Sequence, residues 1–214
     1  NINSGLLGLP NTNFNCNGRI ITHTQVNASA VKEIYQGHEV AVHTLTHPNL
    51  TTLDEETIIR QVEEDRKALS ALVGYEVVGM AYPCGGVNND ERVAKLIKDN
   101  TPIRYARTIT STLTFDLQKD SLLRFNPTLH FLNEKTEEIV DKFLALETDE
   151  PQLLYIWGHS YELDYSEEVK AKYENKEISN FSNDNSLIYP PMVDVSGVTD
   201  LSRFYYKCQN ILTI

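Results

Sequence analysis

One pattern constrains the fold of this chain more than any other. Short apolar runs recur along it, each followed by a polar turn and then by a longer segment with helical spacing. The runs are Glu39–Val42, Val77–Tyr82, Ile103–Ile109 and Leu153–Trp157. Between them lie Thr52–Val73, Asn88–Ile97 and Thr136–Leu146, where apolar residues return every three or four positions. Strand, helix, strand, helix in this order means parallel strands covered by helices, an α/β class. In such folds chemistry collects at the C-terminal ends of the strands. The residues found there are His43 and His47, Tyr82 to Gly86, Arg107, and Trp157 with His159.

The remaining expectations follow the chain. Residues 9–19 are rich in Asn, Pro and Gly and read as an irregular connection. A helix is expected from Asn27, with Ala28, Val31, Ile34 and Tyr35 on one face and Gly37 after its end. Thr52 with Glu55 forms a capping box for the helix whose inner stripe is Ile58, Val62, Leu69, Leu72 and Val73. The charge run Glu63–Lys67 reads as a solvated helix face, and Asn88 or Asn89 as the cap of the next helix. His23 and His38 read as loop or surface residues. Two domains are expected: an α/β unit over residues 1–165, and a closing segment or appendage over 166–214, where Asn, Ser, Asp and Tyr dominate 174–189.

The 214 residues suffice for a sizeable core. The net charge of −11 argues against nucleic acid or an anionic membrane as partner, because neutralising phosphate needs clustered Lys and Arg. No apolar run is long enough to span a bilayer. The first residues lack the basic start and apolar core of a signal peptide, and there is no initiating Met. Three cysteines (Cys16, Cys84 and Cys208) without Cys-x-x-Cys spacing give neither a disulfide framework nor a cysteine zinc site.

The densest chemistry lies in Gly37-His38-Glu39-Val40-Ala41-Val42-His43-Thr44-Leu45-Thr46-His47-Pro48. Two imidazoles four residues apart at a strand end can reach one ion, and neutral imidazole suits zinc and related divalent metals. Either ring can also serve as an ordinary partly buried residue.

This stretch resembles the metal-histidine motif of polysaccharide deacetylases, the NodB-type carbohydrate esterases. The resemblance covers roughly residues 1 to 165. It implies a distorted (β/α) barrel and a metal-dependent hydrolase, most simply zinc-dependent, that removes acetyl groups from N- or O-acetylated carbohydrate. It makes His43 and His47 the metal ligands. Ala81-Tyr82-Pro83-Cys84-Gly85 is similar to a wall motif of the family, with the Cys84 amide as an oxyanion donor; the usual Arg is replaced by Ala81. As a side chain, Cys84 reads as a small buried hydrophobe, not a nucleophile. Trp157-Gly158-His159 matches the last motif, which makes His159 the general acid. Tyr82, Pro83, Arg107 and Trp157 are implied as substrate-binding residues; Arg107 equally fits contact with a site carboxylate or a plain surface role.

The family's Asp-Asp motif, which carries the base and a third ligand, is expected roughly 20–30 residues before Asn1, judging from a βα unit. Thr114-Phe115-Asp116 echoes it at the wrong place, and Asp194 is a candidate surrogate ligand. Glu162 and Asp164 are candidates to hold the His159 tautomer, and Trp157, Tyr161 and Tyr165 could stack on sugar rings. The expected partner is an acetylated glycan, and by family analogy the protein is secreted or at the cell surface. The alternative is an inactive glycan-binding module on the same fold.

Overall fold

The computed structural model describes residues 1–16 and 19–159. The expected features at Tyr161, Glu162, Asp164, Tyr165 and Asp194, and the segment 166–214, lie outside the described residues.

The architecture is α/β. A hairpin comes first: β1 (Thr12–Cys16) pairs antiparallel with β2 (Arg19–His23). This corrects the irregular connection expected for 9–19. Asn17-Gly18 separates the two strands in sequence, and that dipeptide favours a two-residue hairpin turn. A 3₁₀ turn at Ala28–Ala30 then leads into a four-residue helix α1 (Val31–Ile34), shorter than the periodicity suggested. Val31 is buried, while Ile34 is exposed.

A parallel set follows. Ile2 bridges Val42, Val42 bridges Met80, β3 (Gly79–Ala81) pairs with β4 (Tyr105–Arg107), and Arg107 bridges Phe125. Further on, β5 (Leu129–His130) pairs in parallel with β6 (Ile156–Trp157). The bridges and the β3–β4 pair run in chain order from Ile2 through Val42, Met80 and Arg107 to Phe125. Among the described residues these pairings do not close into a barrel.

Three helices cover the strands: α2 (Glu55–Val73), α3 (Glu91–Asn100) and α4 (Thr136–Leu144). Their inward residues are those the spacing predicts: Ile58, Val62, Leu69 and Val73 on α2, Val93 and Ile97 on α3, and Ile139, Val140 and Phe143 on α4. The first two helices pack on a core with Val40, Val42, Val77, Met80 and Tyr82. The third packs on a second cluster with Leu129 and Leu154. Phe115 of Thr114-Phe115-Asp116 lies edge-on to Phe143 at 5.2 Å and packs beside that cluster.

The caps fall one or two residues beyond where the sequence places them. Asp54, not Thr52, caps α2 by accepting from the Thr57 N–H at 2.8 Å. Asp90, not Asn88 or Asn89, caps α3 by accepting from Val93. Both put a carboxylate against the positive end of the helix dipole. Gly74 closes α2 at φ 84°, a left-handed turn that glycine adopts without strain.

Candidate active site

His43 follows the Val42 bridge, and its backbone is fastened on both sides. Its N–H lies 3.1 Å from the Ile2 carbonyl and 3.0 Å from Asp65 Oδ2, and its carbonyl accepts from the Asn3 side chain. Its ring Nδ1 lies 2.8 Å from the Ala81 carbonyl at the end of β3. A carbonyl only accepts, so Nδ1 carries the hydrogen and Nε2 is left with its lone pair free for a ligand. Burial lowers the His43 pKa to about 3, and the His47 ring adds to that.

The chain then turns sharply. Thr44 and His47 both take positive φ, 68° and 65°. The fully buried Thr44 hydroxyl accepts from the His47 N–H at 3.1 Å, which stabilises this costly geometry. The turn brings the two imidazoles edge to face, with centroids 4.9 Å apart. Burial lowers the His47 pKa as well, and charges on His159 and His23 act the same way. Both rings are therefore held neutral at pH 7, the form that ligates metal.

Helix α2 supplies the anchors. Gln61 Oε1 accepts from the Thr46 N–H at 3.0 Å, its Nε2 donates to Thr46 Oγ1 at 2.9 Å, and its carbonyl accepts from Leu45. One turn later the fully buried Asp65 accepts from the Ser4 N–H, the Ser4 hydroxyl and the His43 N–H. Burial raises its pKa to about 6, against the pull of those three donors. The solvated face expected for 63–67 is thus corrected: Asp65 and Arg66 are buried there. The signal was present, since Ile58, Val62, Asp65 and Leu69 fall on one helical stripe. Gly5 completes the fastening. A Cβ there would stand 2.6 Å from the Leu45 carbonyl, so only glycine permits this approach.

Opposite stands the turn after β3. Tyr82 does not face a ligand: it is 1% exposed and its hydroxyl donates to the Leu123 carbonyl at 2.7 Å. The substrate contact expected for Tyr82 is corrected to a core role, because its only polar atom is spent internally. Pro83 is buried, and Cys84 takes φ 68°. The Asn88 amide ties this turn by donating to the Pro83 and Cys84 carbonyls at 3.0 and 2.7 Å. The Cys84 N–H makes no hydrogen bond among the described residues. Its sulfur lies 3.5 Å from the His47 carbonyl, and burial pushes its thiol pKa up, away from thiolate character.

The third wall comes from β4 and β6. Arg107 is buried, with Nη1 donating to the Thr108 carbonyl and its Cζ 4.6 Å from the centroid of the Trp157 ring. A surface role for Arg107 is thereby excluded. Its pKa is lowered by burial. The Trp157 ring lies edge-on to His159 at 5.6 Å and to His130 at 4.6 Å. Gly158 sits between Trp157 and His159, where a side chain would collide with the Phe131 ring. The His130 ring lies 6.4 Å from that of His159, a neighbour that no local spacing reports.

Two imidazoles are a partial fit to a divalent metal. Catalytic zinc usually takes three protein ligands. Among the described residues no group of three His, Cys, Asp or Glu side chains comes together.

Comparison with known proteins agrees with the motif. Residues 7–100 match the family model described as polysaccharide deacetylase. The matched segment includes residues 37–48, the stretch that carries the resemblance. No curated protein matches the sequence. Among solved structures, the Streptococcus pyogenes deacetylase PplD in complex with acetate is similar at 16% identity and a TM-score of 0.46. That match covers 56% of this chain and 50% of the other, so this chain matches half of that protein's length.

Proposed function

We propose that the chain is a metal-dependent carbohydrate deacetylase, with residues 1–165 as its catalytic unit and a (β/α) barrel as its complete fold. One observation carries this reading: the neutral His43–His47 pair is locked at a parallel strand end with His43 Nε2 left open. His43 and His47 hold a divalent metal, zinc by preference, and the remaining ligand and the base come from outside the described residues. When bound, such a metal supplies a Lewis acid for the acetyl carbonyl and a water of lowered pKa. The Cys84 N–H, which makes no hydrogen bond among the described residues, donates to the oxyanion as the carbonyl becomes tetrahedral. His159 gives a proton to the departing amine or alkoxide as the bond to the acetyl carbon breaks. Trp157 shapes the wall on which the sugar rests, with the buried Pro83 stiffening the turn behind Cys84. On this reading, by family analogy, the protein acts outside the cell or on its surface.

The test joins binding to turnover. Zinc is titrated by calorimetry into the full chain and into the His43→Ala/His47→Ala variant, and acetate release from acetylated chito-oligosaccharides is followed. One zinc per chain, lost in the double variant, is expected. His159→Ala should lower turnover about 10²–10⁴-fold, the usual range for a general acid. Unchanged turnover in His159→Ala, or deacetylation indifferent to chelator, would sink the reading.

A further inference from the structure

We infer that the β1–β2 ribbon is a sugar-binding wall that lengthens the cleft beyond His47, with Phe14 as its stacking ring. The inference rests on the carbohydrate reading proposed above and names where further units of the substrate lie. The ribbon does little for the core. Thr12, Asn13, Asn15, Thr22 and His23 are exposed, and Phe14 is only half-buried. Neither hydrophobic cluster takes a described side chain from it, although Leu7 and Val26 on its two flanks pack on the first. A lone two-stranded ribbon is marginal in water, so one that stands clear of the core calls for a use elsewhere.

The backbone puts the ribbon at the site. Ile2 runs parallel to Val42, so the chain after Ile2 leaves at the end of the strands that carries His43. Asn3 donates to the His43 and Thr44 carbonyls, and the Gly5 N–H donates to that of Leu45. The Gly8 N–H then donates to the Val26 carbonyl at 2.9 Å, which pinches the foot of the ribbon beside the histidine turn. His23, near that foot, lies close enough for its charge to be felt at His47. In the antiparallel register Thr12 faces His23 and Asn13 faces Thr22, so alternation puts Thr12, Phe14 and His23 on one side. The Phe14 and His23 rings meet edge-on with centroids 6.1 Å apart. The side that carries His23 therefore also carries the aromatic ring.

The chemistry of the stretch selects the occupant. No Asp or Glu precedes Glu33, although the chain carries 30 of them and a net charge of −11. Arg19 is the one charged residue in the two strands. A polyanion needs more cations than that, and a basic peptide gains more from the acidic remainder of the chain. The Phe14 side offers a ring, the Thr12 hydroxyl and the His23 imidazole. That set suits a neutral polyol, whose hydroxyls donate and accept and whose C–H face lies flat on an aromatic ring. On the opposite side the Asn13 side-chain oxygen accepts from Thr22 Oγ1 at 2.9 Å, which stiffens the ribbon across its strands. Five extended residues reach about 17 Å, the length of several sugar units.

The test compares a long ligand with a short one. N-acetylated chitohexaose and chitobiose are titrated by calorimetry into the full chain with chelator present, so that binding is read without turnover. The hexamer should bind about tenfold or more tighter than the dimer. Phe14→Leu, which keeps an apolar side chain without the ring, should lower hexamer affinity about tenfold and move dimer affinity less than about twofold. Phe14→Tyr keeps the ring and should keep the hexamer affinity. A chain in which two glycines replace residues 9–25, a closure that the Gly8–Val26 contact permits, should lose the same preference and serves if Phe14→Leu does not fold. A hexamer that binds no tighter than the dimer, or that binds folded Phe14→Leu as well as the parent chain, overturns the inference. Acetate release from the hexamer is assayed separately with zinc. Turnover without Phe14-dependent binding sinks the inference and leaves the activity standing; Phe14-dependent binding without turnover does the reverse.

Discussion

The two sides of the candidate site are built on opposite principles. On the histidine side, residues 43–47 are fastened by Asn3, Gly5, Gln61 and Asp65, drawn from two separate parts of the chain. On the other side, among the described residues, the Cys84 N–H and the Trp157 indole N–H have no acceptor. The first side is finished by folding. The second still has hydrogen bonds to give. A site that must hold one group rigidly and receive another needs both kinds of wall, since a pre-organised donor is worth most where charge develops.

Substitutions can break or sharpen this contrast. Asp65→Ala strands three donors on the fastened side and should cost about 3–4 kcal/mol in urea unfolding. A cost below about 1 kcal/mol would show that the histidine loop holds itself and that the contrast is false. Gln61→Ala removes both side-chain bonds to Thr46 and should cost about 2 kcal/mol. It should also weaken zinc binding about tenfold, as the loss of a positioning residue around a metal site typically does. On the receiving side, Asn88→Ala releases two carbonyls within a single turn, and about 1.5 kcal/mol is expected. Its larger effect should be on turnover, read as a fall in kcat with KM steady, because the Cys84 amide loses its aim. The smallest effect belongs to Tyr82→Phe, about 1 kcal/mol for one bond to Leu123. KM for the oligosaccharide should not move; a several-fold rise would return Tyr82 to the substrate wall.

Much of this was legible in the residues. The alternation of Val40 and Val42 and the stripe Ile58–Val62–Leu69 placed the core correctly, because burial imposes its period on apolar residues. The four-residue spacing of His43 and His47 found the pair, although a tight turn with two positive-φ residues, not a helix, brings the rings together. Polar residues with buried roles were harder. Asp65 sits in a run of charges and looks solvated until its place on the inward stripe is counted. Asp54 and Asp90 displaced the expected caps because several N-cap residues stand in a row, and residue type alone does not set the register. Arg107 meets Trp157 across a gap of fifty positions, which no local period can report.

Gly158 carries a consequence for how such a chain can change over generations. The space its Cβ would occupy is filled by the Phe131 ring, which itself stacks on His130 at 4.9 Å. Positions 131 and 158 therefore share one volume. Any lineage that gains a side chain at 158 must first shrink the one at 131, and a library randomised at 158 alone should return glycine. Paired libraries should recover small residues at both positions, with His159 kept in place by the trade.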